Sequence, residues 1–524
     1  MNPKNKKLIT FSFFITIFLI GLFVFRDYGI QTDERNNYNF GQASLEQYKM
    51  VLSGNPPCSK DYCEYEHNLI HGPLFEVFLA IIKNLFFSSS DVQNIFFMRH
   101  LMNFLMFFLS LIYFYKICVR SFNDTFLGLL GSTFLFLSPR IFADSFYNSV
   151  DIGALAAMIF STYSMLLFLE DNRPRNALIH GAVCAVGIAM RSVVVFNIFI
   201  TVVFVLIDRL KENTGKTALA KSLFPYGLSL ALFSFILIPL TWAGPIKLLD
   251  SLHTTLSLTT PAKNLFFGSN ILANTVPWYF NIVWIAISTP LLYIILFLWG
   301  LVSICIAVYK KNRLDSDLKI NAIYFLSWFF VPIILCVLLN TSLYGGWRHL
   351  YFIYPALIII SIYGFRSIQE SIESKIGKIM FYVAVALALA QIAFQMVQIH
   401  PYEGVYFNAF VSDKAENCIL FERDYFGSSY RGGLEYILEN DKSDTIPVFI
   451  QVPTGAENIA MISQEQRRRI IFTPSGENAK YFISNIFSAS KSEECAVRAN
   501  NETGNTHFIK AGDLPILSIT QLHN

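Results

Sequence analysis

Two adjacent acids, Asp33-Glu34, follow the first apolar stretch of this sequence. The chain begins Met1-Asn-Pro-Lys-Asn-Lys-Lys7, runs apolar from about Leu8 to Phe25, and then reads Gly29-Ile-Gln-Thr-Asp-Glu-Arg35. The lysine cluster holds the N-terminus in the cytoplasm by the positive-inside rule, so the acids emerge on the opposite side. A carboxylate pair at the rim of a many-helix membrane protein has the chemistry of a general base for a substrate presented at the membrane surface. The plainer reading is a loop that happens to contain acids. Adjacent carboxylates repel unless a cation intervenes, and Arg35 is the nearest cation along the chain.

The elements that must position these acids are membrane spans. Of 524 residues, 54% are hydrophobic and only 15% charged, against about 25% charged in a soluble protein. The net charge of +3 comes with no basic stripe, which excludes a nucleic-acid partner. The first apolar run is longer than a signal-peptide core and lacks a small-residue cleavage site, so it reads as a retained anchor. Apolar runs fall near 8–25, 101–118, 125–139, 152–169, 176–190, 192–208, 222–243, 286–308, 320–340, 350–365 and 377–396. A span needs about 20 apolar residues, which gives about eleven spans.

The segment Pro73 to Phe87 decides the topology. If it spans, the basic loops at 171–175, 208–221 and 309–313 all fall outside. If it lies along the surface as an amphipathic helix, those loops and 366–378 all fall on the cytoplasmic side, as the positive-inside rule prefers. The outer regions are then 26–100, Ser138 to Asp151, 244–285, Asn340 to His349 and the polar tail from 398. Nearly all the unusual polar chemistry sits on that face. A flippase or transporter without transferase activity is the alternative from another class. It would place ionisable groups nearer the midplane, in broken helices of two repeated halves. The sequence shows no internal repeat, and apart from Arg191 its expected spans are almost free of charge.

Cys118, Cys184, Cys305 and Cys336 lie within or beside spans, whereas Cys58, Cys63, Cys418 and Cys495 fall on the outer side. An oxidising compartment would permit pairs 58–63 and 418–495. Half a zinc site at 58–63 is the competing reading, without an evident partner pair. The tail reads as a small α/β domain, with strands at 445–452 and 469–472 and a helix over 429–438 that Gly432-Gly433 weakens.

An ordered set of motifs then stands out. It comprises Asp33-Glu34, Met98-Arg-His-Leu-Met-Asn103, Ser138-Pro-Arg-Ile-Phe142 and Asn148-Ser-Val-Asp-Ile152. Val276-Pro-Trp-Tyr279, Ser288-Thr-Pro290, Tyr344-Gly-Gly-Trp-Arg-His-Leu-Tyr-Phe352, His400-Pro-Tyr-Glu-Gly-Val-Tyr-Phe-Asn408 and Asp424-Tyr-Phe-Gly427 complete it. This set, spread over positions 33 to 427, resembles the GT-C class of integral-membrane glycosyltransferases. Within that class it resembles bacterial family 39-like members, relatives of protein O-mannosyltransferases and lipid A aminoarabinose transferases. Related sequences read Asn-Pro-Lys-Asp-Ile-Pro in the second outer loop. Here the stretch is Asn148-Ser-Val-Asp-Ile-Gly153, so a phosphate contact from that lysine must come from elsewhere. A preceding Gly-His is replaced by Ala143-Asp144.

The resemblance implies a polyprenyl-phosphate-linked sugar donor and an acceptor hydroxyl outside the membrane. Transfer then needs a base, positive charge for the departing phosphate and a pocket that orients the sugar. Asp33 matches the family's loop acid and is the expected base, with Glu34 positioning the acceptor or tuning Asp33. Arg35 and His71 are acceptor-side candidates. Arg348 is the expected phosphate contact, since arginine pairs bidentately with phosphate, although arginine beside Trp347 is also a common interfacial anchor. His349, Arg99 and Arg140 are further donor-side candidates. Asp151 either binds the sugar or caps a helix N-terminus. Asp144 and Arg191 are weaker candidates for the site. No metal or other cofactor is expected, the alternative being a divalent ion held by Glu66 and His67 with Asp33.

The reading is therefore an all-α polytopic, GT-C-like membrane protein. A transmembrane catalytic domain over 1–397 carries the first outer loop at 26–100 and its amphipathic surface helices, and a periplasmic α/β tail occupies 398–524. It would sit in a bacterial inner membrane, with the N-terminus cytoplasmic, among membrane lipid. Its acceptor would be a glycan, lipid or protein.

Overall fold

The computed structural model describes residues 3–54, 72–211, 216–238, 241–242, 262–309, 316–411, 420–485 and 505–522. Helix α1 (Pro3–Val24) leads into α2 (Thr32–Leu52), α3 (Leu74–Phe86) and α4 (Val92–Phe122). Next come α5 (Thr125–Phe136), α6 (Pro139–Tyr147), α7 (Ser149–Glu170), α8 (Pro174–Met190), α9 (Val195–Lys211) and α10 (Lys216–Leu237). A hairpin of β1 (Lys263–Phe266) and β2 (Ser269–Leu272) precedes α11 (Phe280–Ser288), α12 (Leu291–Tyr309), α13 (Ser316–Leu338), α14 (Tyr354–Ser371) and α15 (Lys375–Ile399).

Eight described helices are long and apolar enough to cross a membrane: α1, α4, α7, α10, α12, α13, α14 with the turn before it, and α15. The chain is a polytopic α-helical membrane protein. The pair α5–α6 would add one more span, and it is bent by 69°. The runs expected at 176–190 and 192–208 form α8 and α9, each of 17 residues. The bend of α5–α6 and the break into α7 have local causes. Pro139 occupies the first turn of α6, where its missing N–H costs nothing. Asn148 then ends α6 and caps α7, its side chain accepting the Asp151 N–H. This zigzag places Arg140, Asp144 and Asp151 on successive short steps at one end of the bundle.

The first apolar run and the acids beyond it behave differently from a loop. Residues 32–52 form a continuous helix whose buried face is largely polar, with Ser44 and Gln47 beside Phe40. Helix α3, of 13 residues, is too short to span. It turns Glu76 and Lys83 inward and exposes Phe78, Ile81, Leu85 and Phe86, the polarity of a helix lying against lipid. Deep in the bundle, α12 and α14 meet through two glycines. A Cβ on Gly300 would lie 2.0 Å from the Ile360 carbonyl oxygen, and one on Gly364 2.0 Å from that of Leu296. Small residues permit such backbone approach in membranes, where burial in lipid supplies little drive.

The C-terminal part holds α16 (Tyr430–Asn440) and five strands: β3 (Ile446–Ile450), β4 (Ile470–Phe472), β5 (Tyr481–Asn485), β6 (Thr506–Ala511) and β7 (Leu514–Gln521). The sheet order is β4-β3-β5-β7-β6, with β3 parallel to β4 and β5 and the other pairings antiparallel. Its own core runs from Tyr430 to Ile519, whereas Phe421 and Phe426 pack with the helix bundle. Residues 420–428 therefore join bundle and sheet.

His400, just past α15, ties the end of that helix to the end of α1. Its ring meets Glu403 at 2.7 Å and Asp27 at 3.0 Å, and Tyr28 donates to Glu403 at 3.1 Å. Burial would lower the His400 pKa, but the bonds to Glu403 and Asp27 outweigh it and push it up to about 9. A base raised on folding stabilises fully below its unfolded pKa, about 6.5, and loses that contribution as pH rises through about 9. In thermal unfolding, wild type should exceed His400→Gln at about pH 6, and the gap should close near about pH 10. A gap that widens with pH would contradict the charged clamp.

Candidate active site

The first turn of α2 is fixed by the C-terminal part. Thr32 N–H donates to the Phe426 carbonyl at 3.0 Å. The Asn458 side chain bonds Ile30 in both directions, at 2.8 and 2.9 Å. Within the turn, the Gln31 N–H donates to the Glu34 carboxylate at 2.9 Å. Neighbouring helix residues point about 100° apart, so Asp33 and Glu34 separate. Asp33 stays 39% exposed. Glu34 is fully buried and faces His100 Nε2 at 3.2 Å, whose Nδ1 meets the Phe25 carbonyl at 3.2 Å. Glu34, expected to position the acceptor or tune Asp33, thus anchors the turn from within.

The cation beside Asp33 is Arg348, 315 positions away. Arg348 Nη1 lies 3.1 Å from Asp33 Oδ2 and 3.3 Å from Asp151 Oδ2, and Arg191 Nη2 lies 3.6 Å from Asp151 Oδ1. Asp33, Arg348, Asp151 and Arg191 so form one chain of alternating charge. The Arg348 guanidinium also sits 5.0 to 5.2 Å from the ring centres of Tyr344, Tyr425 and Phe426, a cation–π enclosure that holds it in place. Two left-handed residues, Gly345 at φ 66° and Gly346 at φ 70°, turn the chain back after α13. Residues with a Cβ are strained in that conformation. Trp347 pins the turn by donating to Ser288 at 2.7 Å.

Asp151 is not the cap of α7, because Asn148 is. Asn148 instead orients it, donating to Asp151 at 2.9 Å and to Asp144 at 3.3 Å. The first turn of α7 adds a favourable dipole for the carboxylate. Asp151 is left free to face Arg348 and Arg191.

Other expected residues lie elsewhere. Arg35 pairs with Glu457 at 2.7 Å and lies over Phe96, so it bridges α2 to the C-terminal part rather than neutralising the two acids. Arg99 makes a two-pronged pair with Glu76 at 2.9 and 3.2 Å, both side chains buried. Ser149 donates to the same carboxylate. This knot joins α3, α4 and α7, and Glu76 matches the charge of Arg99, the expected donor-side residue. Arg140 donates from Nε to the Tyr406 carbonyl at 2.9 Å and lies over Trp284 and Phe407. His349 packs edge-on against Tyr344, 4.7 Å between ring centres. His71, Glu66, His67 and the cysteines at 58, 63, 418 and 495 lie outside the described residues. Glu76, His100, Trp284 and Glu422, buried beside the expected site residues, were not singled out in the sequence. Ionisable residues inside otherwise apolar helices were the available signal for the first two.

Replacing Glu76 by Gln strands the buried Arg99 charge, and the expected loss is about 3–5 kcal/mol of stability, read as a lower unfolding temperature in detergent. Unchanged stability with weakened substrate binding would return Arg99 to the ligand.

Residues 70–242 match the family model described as dolichyl-phosphate-mannose-protein mannosyltransferase. No curated protein matches the chain. Similar solved structures include the crystal structure of ArnT from Cupriavidus metallidurans bound to undecaprenyl phosphate, at a TM-score of 0.48 and 8% identity over 99% of this chain and 98% of that one. The matched segment takes in Arg140, Asp144, Asp151 and Arg191.

Proposed function

We propose that this protein moves a sugar from a polyprenyl-phosphate-linked donor to an acceptor hydroxyl, with Asp33 as general base and Arg348 as the contact for the donor phosphate. The observation that carries the reading is the shared guanidinium, with Arg348 Nη1 in reach of both Asp33 and Asp151. An acid that is partly exposed, held beside a buried arginine at the rim of a membrane bundle, brings a proton acceptor next to an anion-binding group. The description of the matching family, a dolichyl-phosphate-mannose-protein mannosyltransferase, favours a lipid-phosphate donor for this chain too.

In the proposed reaction the acceptor oxygen attacks the anomeric carbon while its proton passes to Asp33. The bond from that carbon to the phosphate oxygen breaks, and its electron pair stays on the phosphate. Family likeness suggests inversion at the carbon. An incoming phosphate competes with Asp33 for Arg348. Loosening that pair frees the carboxylate to accept a hydrogen bond from the acceptor hydroxyl. Asp151, itself paired with Arg191, holds the other side of Arg348, so the guanidinium stays in place as its partner changes.

Orientation follows the charges. Lys4, Lys6 and Lys7 begin α1, and Arg120, Arg173, Arg175, Arg366, Lys375 and Lys378 lie at the helix ends remote from Asp33. The positive-inside rule places that end in the cytoplasm and the site, with the C-terminal sheet, outside it. In a bacterium this would be the periplasmic face of the inner membrane. The buried acids and arginines of the helices gather at the site end, which favours transfer over transport through the bundle.

Asp33→Asn should lower sugar transfer from radiolabelled polyprenyl-phosphate donors by about 10²–10⁴-fold, the usual share of a general base. Membranes carrying either protein at equal expression provide the comparison, and the fraction that gains label names the acceptor class. Full turnover by the variant would remove Asp33 as base.

A further inference from the structure

A cleft separates α6, α11 and the 344–347 turn from residues 420–428. Its walls include Arg140, Asp144, Tyr147, Trp284, Tyr351 and Glu422. The cavity holds about 20 Å³ and opens to solvent, room for about one water-sized polar group. Three wall residues each carry one buried atom without a hydrogen-bond partner among the described residues: Arg140 Nη2, Trp284 Nε1 and Glu422 Oε2. Their side chains are 9%, 1% and 1% exposed. Arg348 Nε is a fourth such atom, and a Cβ on the cleft residue Gly345 would stand 2.9 Å from it.

Buried polar groups nearly always find partners, so orphans from separate elements around one cleft point to a ligand that is polar on several sides. The orphaned atoms belong to side chains held firmly by their other contacts. Arg140 Nε is bound to the Tyr406 carbonyl, and Trp284 packs 5.5 Å from Phe421 and 6.3 Å from Phe280 between ring centres. Glu422 accepts the Leu265 N–H at 3.1 Å through its other oxygen. Burial pushes the Glu422 carboxyl up to about 8, outweighing the Leu265 N–H and the attraction of Arg348 and Arg140. At neutral pH it is a neutral acid that both donates and accepts. Hydroxyl groups complement such a lining, and the rings of Trp284, Tyr147 and Tyr351 suit the apolar faces of a sugar.

We propose that this cleft receives a hydroxyl group of the donor's sugar, and that Trp284, Arg140 and Glu422 thereby select which sugar is accepted. This inference rests on the transferase reading above. It gives the segment leading into the C-terminal sheet a substrate contact as well as a structural one.

Binding of two probes to the purified full-length protein separates the possibilities: a polyprenyl-phosphate sugar, and the same polyprenyl phosphate without sugar. Trp284→Phe deletes one orphaned donor. Glu422→Gln keeps an oxygen for Leu265 and presents NH₂ to the cleft in place of the orphaned oxygen. Each variant should weaken the sugar-bearing lipid by about three- to tenfold, the worth of one hydrogen bond, and leave the sugar-free lipid unchanged. A merely structural role would weaken both lipids together, and equal affinities to wild type would remove these groups from the sugar site. Either result overturns the inference while leaving the transferase reading intact. Failure of both lipids to bind wild type would overturn the two readings together.

Discussion

The structure of this site depends on one buried guanidinium shared by two carboxylates. Arg348 is nearly inaccessible, and a charge so placed is costly unless paired and hydrogen-bonded. Asp151 supplies a partner from the bundle and Asp33 supplies one from the rim. Most of the surrounding architecture can be read as the means of holding those three groups. The glycine turn brings Arg348 back over the bundle, and three aromatic rings enclose it. Asn148 aims Asp151, and the Phe426 and Asn458 contacts fix the start of α2 beneath Asp33.

The C-terminal sheet has no direct part in that ion pair, yet the pair depends on it. Asn458 and Glu457 grip the approach to α2 at Ile30 and its first turn at Arg35, and the connecting segment places Tyr425 and Phe426 over Arg348. A bundle without this part would lack one wall of the arginine enclosure. Such a division of labour, with helices supplying the buried charges and a polar appendage setting the geometry at the rim, suits chemistry on a lipid-bound substrate in contact with water.

Much of this was legible in the sequence. The spans follow from uninterrupted apolar runs, and the strands at 446–450 and 470–472 lie inside the stretches read as strands. Asp33, Asp151 and Arg348 were each marked by charge at the edge of apolar sequence. Their mutual contact was not legible, because it joins segments hundreds of positions apart and no local pattern encodes it. Helix α2 escaped notice because its buried face is polar, so apolar periodicity has nothing to register. Asp33, Glu34 and Arg35 meet different partners for a simpler reason: sequence neighbours in a helix do not share a face. Arg99 was a donor-side candidate in the sequence, and only the fold sets it against Glu76.

The central claim is that Arg348 is the group that meets the donor phosphate. Its most direct test is the affinity of sugar-free polyprenyl phosphate for the wild type and for Arg348→Gln, with folding checked by thermal unfolding. Loss of a charge-assisted contact of about 1.5–3 kcal/mol predicts binding weakened by at least about tenfold in a folded variant. Unchanged affinity in that variant would contradict the account.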